Sequence, residues 1–238
     1  MAEPVKISEI IEAIFKKEIF PEIVRLQYLP YDVELALKTI EQIGKKRNSK
    51  FRIDEENRFT YENLIRWVHG DNEMKCLNAE TKEVIPGRLK AGIYIAGNTG
   101  TGKSWALEII AAYTLIDNIK FAVGSNEKPL FWNNFRADTI CDEYVEKGTF
   151  ERFKKMSVLG IQDLGGEPAE SLYMGNRINV MRQLLEYRGD YTDKITLITS
   201  NLPLNNKILI EKYGDRVASR LIEMCNYFEI KGKDRRKL

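Results

Sequence analysis

Apolar positions recur every three or four residues through the first part of the chain, then give way to short continuous apolar runs. Ile7, Ile10, Ile11, Ile14 and Phe15 share one face at helical spacing, so this segment must bury that stripe against something. "YDVELALKTIEQIG" repeats the pattern, with Asp32 near its start and Gly44 at its stop. After "KKRNSK" and the short "FRIDEENRF", the spacing predicts another helix, "TYENLIRWVHG", from near Thr60 to Gly70.

From Gly92 onward the pattern alternates. Strand candidates are "GIYIA", "PLFWN", "VLGIQ", "ITLIT" and "YFEIK", separated by helical stretches such as "FRADTICDEYVEKG" and "SLYMGNRINVMRQLLEYR". Such alternation implies an α/β fold, a parallel sheet covered by helices on both faces, with ligand at the carboxyl ends of its strands. The expected organisation is a helical region over 1–50, the candidate partner-binding module, a helical lead-in over 51–91, and an α/β core over 92–238.

Composition narrows the class. At 238 residues the chain can hold one α/β domain of ordinary size and a smaller appendage. No run approaches the roughly eighteen apolar residues of a membrane span, and the start lacks a basic-then-apolar signal pattern, so a cytoplasmic protein without a membrane partner is expected. Cys76, Cys141 and Cys225 are odd in number and far apart, and His69 stands alone, which argues against a disulfide framework or a zinc module. Net charge is only +2, yet "GKKRNSK" and "KGKDRRKL" concentrate positive charge that suits phosphate as well as it suits a solvated surface.

The sharpest chemistry lies in "GNTGTGKS", Gly97 to Ser104. Gly97, Gly100 and Gly102 let the backbone turn so that the N–H groups of this loop, from Asn98, Thr99 and Thr101 onward, point inward at phosphate oxygens. Lys103 reaches the β- and γ-phosphates, and the Ser104 hydroxyl ligates magnesium. A buried strand before the loop and an apolar helix after it supply the required context. ATP and Mg2+ are the expected cofactors. Trp105 is expected to pack beneath the loop.

A P-loop engine needs an acid on a neighbouring strand, and "SVLGIQDLGGE" offers Asp163 at a strand end, with Glu167 just beyond. "ITLITSNLP" offers Asn201, whose amide can orient water or simply make a turn before Pro203. Arg216 and Arg220 stand four apart on one helix face. Either suits an arginine finger on nucleotide held by an adjacent subunit, or pairing with Asp215 or Glu223. Phe131, Trp132 and Phe135 beside Arg136 suit core packing better than base stacking.

Together "GIYIAGNTGTGKS", "LGIQDLGGE", "ITLITSNL", "YGDRVASRL" and "GKDRR" resemble the AAA+ ATPases of the DnaC/DnaI helicase-loader group and the related IstB transposition helpers. The likeness runs from about Phe51 to the end and rests on five motifs in order. It implies a five-stranded AAA+ core without the C-terminal helical lid. Asn201 is implied as sensor 1, Arg220 or its neighbour Arg216 as the arginine finger, and Arg236 as the terminal arginine of a G-x-x-x-R ending.

The resemblance implies a loader that assembles with its own copies on single-stranded DNA and delivers or opens a replicative helicase. An IstB-like helper acting for a transposase is one alternative; a nucleotide-gated adaptor with little hydrolysis is another. Two departures bear on these. Gln162 stands where the group carries its magnesium-associated aspartate, leaving Asp163 as the catalytic acid, and an amide cannot offset the metal's charge. The N-terminal region also lacks the zinc-type cysteines of some loaders.

Overall fold

In this computed structural model, residue 7 and residues 21–235 are described; Ile10, Ile11, Ile14, Phe15 and Arg236 lie outside the described residues. In chain order the elements begin with β1 (Ile23–Arg25), α1 (Val33–Arg47), α2 (Arg58–His69), β2 (Lys75–Leu77), β3 (Val84–Pro86) and β4 (Gly92–Ala96). Next come α3 (Lys103–Thr114), β5 (Lys120–Val123), β6 (Asn126–Pro129), β7 (Asn134–Arg136), α4 (Ala137–Lys147), α5 (Glu151–Lys155) and β8 (Val158–Leu164). The chain continues through β9 (Ser171–Tyr173), β10 (Asn176–Ile178), α6 (Val180–Gly189), β11 (Ile195–Ser200), α7 (Lys207–Tyr213), α8 (Asp215–Met224) and β12 (Cys225–Glu229).

The main sheet has the order β3-β2-β12-β4-β11-β8-β7. Its five strands from β12 to β7 are mutually parallel, as expected, and β2 and β3 widen it at one edge by antiparallel pairing. All five residues of β4 are buried, because helices cover both faces. Successive side chains point to opposite faces. Ile93 and Ile95 join one core with Ala36, Leu37 and Ile40 of α1, Leu64 and Ile65 of α2, and Leu107 and Ile110 of α3. Tyr94 and Ala96 join the other, with Ile140 of α4, Leu184 of α6 and Leu221 of α8. A small antiparallel sheet, β1-β5-β6, closes the first core with Ile23, Phe121 and Val123.

Local chemistry sets several boundaries. Asp32 caps α1 by accepting from the amides of Glu34 and Leu35, and Gly70 ends α2 in the left-handed region at φ 67°. Among the described residues no helix is long and apolar enough to cross a membrane.

Four expectations need correction. Gly44 does not stop its helix; α1 runs on to Arg47, and Gly44 is instead where Phe51 approaches so closely that a Cβ would lie 2.1 Å from its ring. "PLFWN" is not a strand. Leu130 and Trp132 plug the core from an irregular segment, and the pairing passes to Asn134–Arg136. "SLYMGNRI" is not helical, because Met174 and Gly175 both take positive φ, 44° and 84°, and make the two-residue turn of hairpin β9–β10. The last parallel strand covers Cys225–Glu229, two residues earlier than "YFEIK" suggests.

Candidate functional site

Three neighbouring strands of the sheet deliver residues to one cleft of about 330 Å³, at the carboxyl ends of β4, β8 and β11. Thr99, Gly100, Gly102, Lys103, Ser104, Trp105, Asp163 and Asn201 line it together with Arg136 and Gly166. The loop leaves β4 at Ala96 and enters α3 at Lys103. Gly100 and Gly102 sit at φ 82° and 95°, a region costly for any residue with a Cβ. No side chain caps the first turn of α3, so its amides are available to an anion, backed by the helix dipole.

Lys103 is 5% exposed, and its Nζ donates to the Asn98 carbonyl and to Asn201 Oδ1, both at 2.8 Å. Lys103 and the amide after β11 are therefore in direct contact. Gly97 and Asn98 line an adjoining hollow with Asn201 and Ile230, and Thr101 is buried, donating to the Asn98 carbonyl at 3.0 Å.

Asp163 enters the cleft through an irregularity of its strand. Between Ile198 and Ser200 of β11 the register on β8 jumps from Ile161 to Leu164, a bulge that holds Asp163 at φ 57° and turns its side chain outward. Its amide donates to Thr199 Oγ1 at 3.1 Å. Its carboxylate accepts from Arg136 Nη1 at 2.9 Å, and Arg136 also pairs with Asp138, which raises the arginine's pKa above its ordinary value.

Gln162 does not line the cleft. Its Nε2 donates to Glu108 Oε1 at 3.1 Å, and Glu108 stands one helical turn after Ser104 on α3. A carboxylate is thus held beside the position where the sequence lacks one. Glu167 is 4% exposed and fully engaged, accepting from the Gly165 amide at 2.9 Å, from the Tyr213 hydroxyl and from Lys212 Nζ at 3.3 Å. It braces the turn after Asp163.

The arginines of α8 are not in the cleft. Arg220 donates to the Glu186 carbonyl at 2.5 Å and to Asp190, a pairing between helices rather than within one, and it faces the opposite end of the sheet. Arg216 is exposed. Trp105 is half-buried in the cleft wall, its ring 6.2 Å from that of Phe51, with the Arg47 guanidinium above it at 5.6 Å. Trp132, by contrast, is 2% exposed and packs edge-on against Trp67.

Sequence reasoning missed Arg136, Glu108 and Arg235. Arg235 is 6% exposed; its amide donates to the Gly100 carbonyl at 2.8 Å and its guanidinium binds both Asp54 oxygens at 2.9 and 2.7 Å. This pair holds the Asp54 carboxyl below its ordinary range and straps the tail across the loop. The basic run "GKDRR" was the available signal, but its acidic partner lies 181 residues away.

No protein-family model matches the chain, and no curated protein matches it. Among solved structures, a candidate primosome component from Streptococcus pyogenes serotype M3 is similar with a TM-score of 0.51 and 18% identity, over 88% of this chain and 93% of that one. AMPPCP-bound DnaA from Aquifex aeolicus gives 0.47 and 18%, over 76% of this chain and 48% of that one, so the chain spans about half of that protein's length. The DnaC helicase loader gives 0.45 and 20%, over 77% and 95%. What the chain shares with the primosome component is the fold, a mostly parallel sheet flanked by helices.

Proposed function

We propose that the protein binds ATP with Mg2+ in this cleft and acts as an AAA+ helicase loader in DNA replication, assembling with its own copies on single-stranded DNA and engaging a replicative helicase. The observation that carries the nucleotide reading is the meeting of Lys103, Ser104, Asp163 and Asn201, from three strand ends, around an uncapped helix start. The residues suit the ligand: glycine-lined amides and an ammonium for phosphates, and the Ser104 hydroxyl with Asp163 for the metal. Magnesium would neutralise phosphate charge there. Asp163 would polarise the attacking water once Arg136 leaves it, and Asn201 would orient it. Arg236 stays assigned to nucleotide, as the motif resemblance implies, and the region 1–50 to the partner, on its apolar stripe alone. The helicase and DNA parts of the proposal rest on that motif set.

The low-turnover adaptor is a second reading, favoured by one observation: Asp163 is engaged by Arg136 and Gln162 carries no charge. Titration with a fluorescent ATP analogue, followed by single-turnover phosphate release with and without single-stranded DNA, separates the two. Pull-down followed by mass spectrometry distinguishes a helicase partner from a transposase. Failure of the analogue to bind in the presence of Mg2+ would remove the nucleotide reading altogether.

A further inference from the structure

A larger cavity, about 870 Å³, opens at the other end of the parallel sheet, against the residues that lead into β4, β11 and β12: Ala91, Lys194 and Met224. Its wall contains Arg25 of β1. The guanidinium stacks on the Trp67 ring at 4.5 Å, and Nη2 donates to the carbonyls of Trp67 and Val68 at 2.5 and 3.0 Å. Nε and Nη1 are shut off from solvent and have no hydrogen-bond partner. A buried cation with unmade donors is an unfavourable arrangement, which a shift of the side chain towards an anion in the cavity would relieve. Burial accordingly lowers the pKa of Arg25 to about 10.

Arg88 lines the same cavity and is likewise met by backbone only, donating to the carbonyls of Ile222 at 2.8 Å, Cys225 at 2.7 Å and Glu223 at 2.5 Å. The remaining cations of the wall are matched: Lys90 with Glu22 at 2.7 Å, Lys194 with Asp193 at 3.5 Å, and Arg220 with Asp190. Glu223 is in the wall but makes no ion pair with Arg25 or Arg88 among the described residues. With Glu223 counted, the wall keeps an excess of one positive charge, carried by two guanidinium groups, the side chain best shaped to hold phosphate by paired hydrogen bonds. The rest of the wall is mixed: Gln27, Asn72 and Thr192 are polar, while Val24, Leu89, Met224 and the ring of Tyr191 give it an apolar part.

We propose that this cavity is a second anion site, which takes the phosphate of a nucleotide on Arg25 and Arg88 and its flat ring on the apolar wall. The volume far exceeds a bare phosphate, and the mixture of cations with an aromatic ring is how proteins hold nucleotide units without base selection. The nucleotide is free or part of a single strand; only the second form rests on the DNA reading above.

The test uses the full chain with the P-loop cleft saturated by a non-hydrolysable ATP analogue and Mg2+. Inorganic phosphate, dTMP and fluorescein-labelled dT12 are titrated at low salt. Binding of dTMP or dT12 is expected, at least tenfold weaker in Arg88→Gln and in Val24→Asp, which sets a negative charge at a half-exposed strand position, with affinity for the ATP analogue unchanged. dTMP binding without dT12 binding supports the free form and sinks the DNA reading alone; dT12 binding alone supports the strand form. Absence of both, equal binding by Val24→Asp, phosphate binding with no gain from the nucleoside, or equal displacement by a polyglutamate peptide overturns the proposal.

Discussion

Arg136 and Asp163 face each other across two adjacent parallel strands, Nη1 to Oδ2 at 2.9 Å, so the acid best placed for chemistry is held by a cation of the edge strand β7. Both side chains are partly exposed, and such a pair contributes roughly 0.2–1 kcal/mol to stability. Its effect on the acid's availability is larger than its effect on the fold. Arg136→Ala should shift the thermal midpoint little while raising basal phosphate release several-fold. A variant that releases phosphate no faster than the parent would assign the arginine to nucleotide contact instead.

Lys103→Ala should abolish binding of a fluorescent ATP analogue, by about a hundredfold or more, since charge-assisted contacts to phosphate contribute roughly 1.5–3 kcal/mol each. The far-UV circular dichroism should be unchanged. The two oxygens the lysine leaves behind, Asn98 O and Asn201 Oδ1, border the open cleft and can be rehydrated.

Restoring a strand-end carboxylate is less simple here than the sequence implies. Gln162→Asp alone sets a new anion beside Glu108, which now accepts the glutamine's N–H at 3.1 Å. The single variant should gain little, whereas Gln162→Asp combined with Glu108→Gln should raise hydrolysis by about tenfold, some 1.4 kcal/mol of barrier, at saturating Mg2+. Glu108→Gln alone should weaken Mg2+ dependence measured by nucleotide binding. Equal rates in all four proteins would remove both residues from the metal's surroundings.

The two arginines of α8 should separate experimentally. Arg220 is committed to Asp190 and the Glu186 carbonyl, so Arg220→Ala should lower stability by about 1 kcal/mol. Arg216 is exposed; if it serves as the finger between copies, Arg216→Ala should keep nucleotide affinity and lose hydrolysis, with partial recovery when mixed with Lys103→Ala protein. Mixed assemblies no more active than their parents would count against a finger acting between subunits.

His69, the single histidine, reports on the first core. Its Nδ1 donates to the Tyr28 carbonyl at 3.2 Å, so Nε2 accepts from the Tyr113 hydroxyl at 2.8 Å, and the ring stacks on Tyr31 at 4.0 Å. Burial lowers its pKa below the ordinary 6.5. The fold therefore favours the neutral ring: this contribution to stability is complete above pH 6.5 and is lost as pH falls from there towards the folded value. Proton NMR of the one imidazole C2–H should show a midpoint below 6.5; a midpoint at or above it would contradict the buried geometry.

The parts of the site visible in the sequence are those whose constraints are local. The glycine spacing, the lysine and the flanking apolar runs of the loop all lie within one continuous stretch, 92–116, and Asp163 and Asn201 mark the ends of apolar strands. The contacts that tune them are not local. Arg136 meets Asp163 only because β7 pairs with β8 in one register, and the bulge that aims Asp163 depends on β11. Arg235 finds Asp54 across 181 residues. The β9–β10 hairpin was hidden for a different reason: apolar residues continue at helical spacing through it, and only the Met174–Gly175 turn breaks the pattern.

The order of strands also sets a hierarchy of lifetimes. β4 and β11, which carry the loop and Asn201, each have parallel neighbours on both sides, whereas β7, which carries Arg136, is paired on one side only. Backbone amides of Ile93 to Ala96 should be among the last to exchange with solvent, and those of the edge strand among the first. The groups that would receive phosphate are thus mounted on the slowest-opening part of the molecule, and the group that restrains the acid on one of the fastest. Fraying of a single edge strand can free Asp163 while the loop beside it keeps its shape.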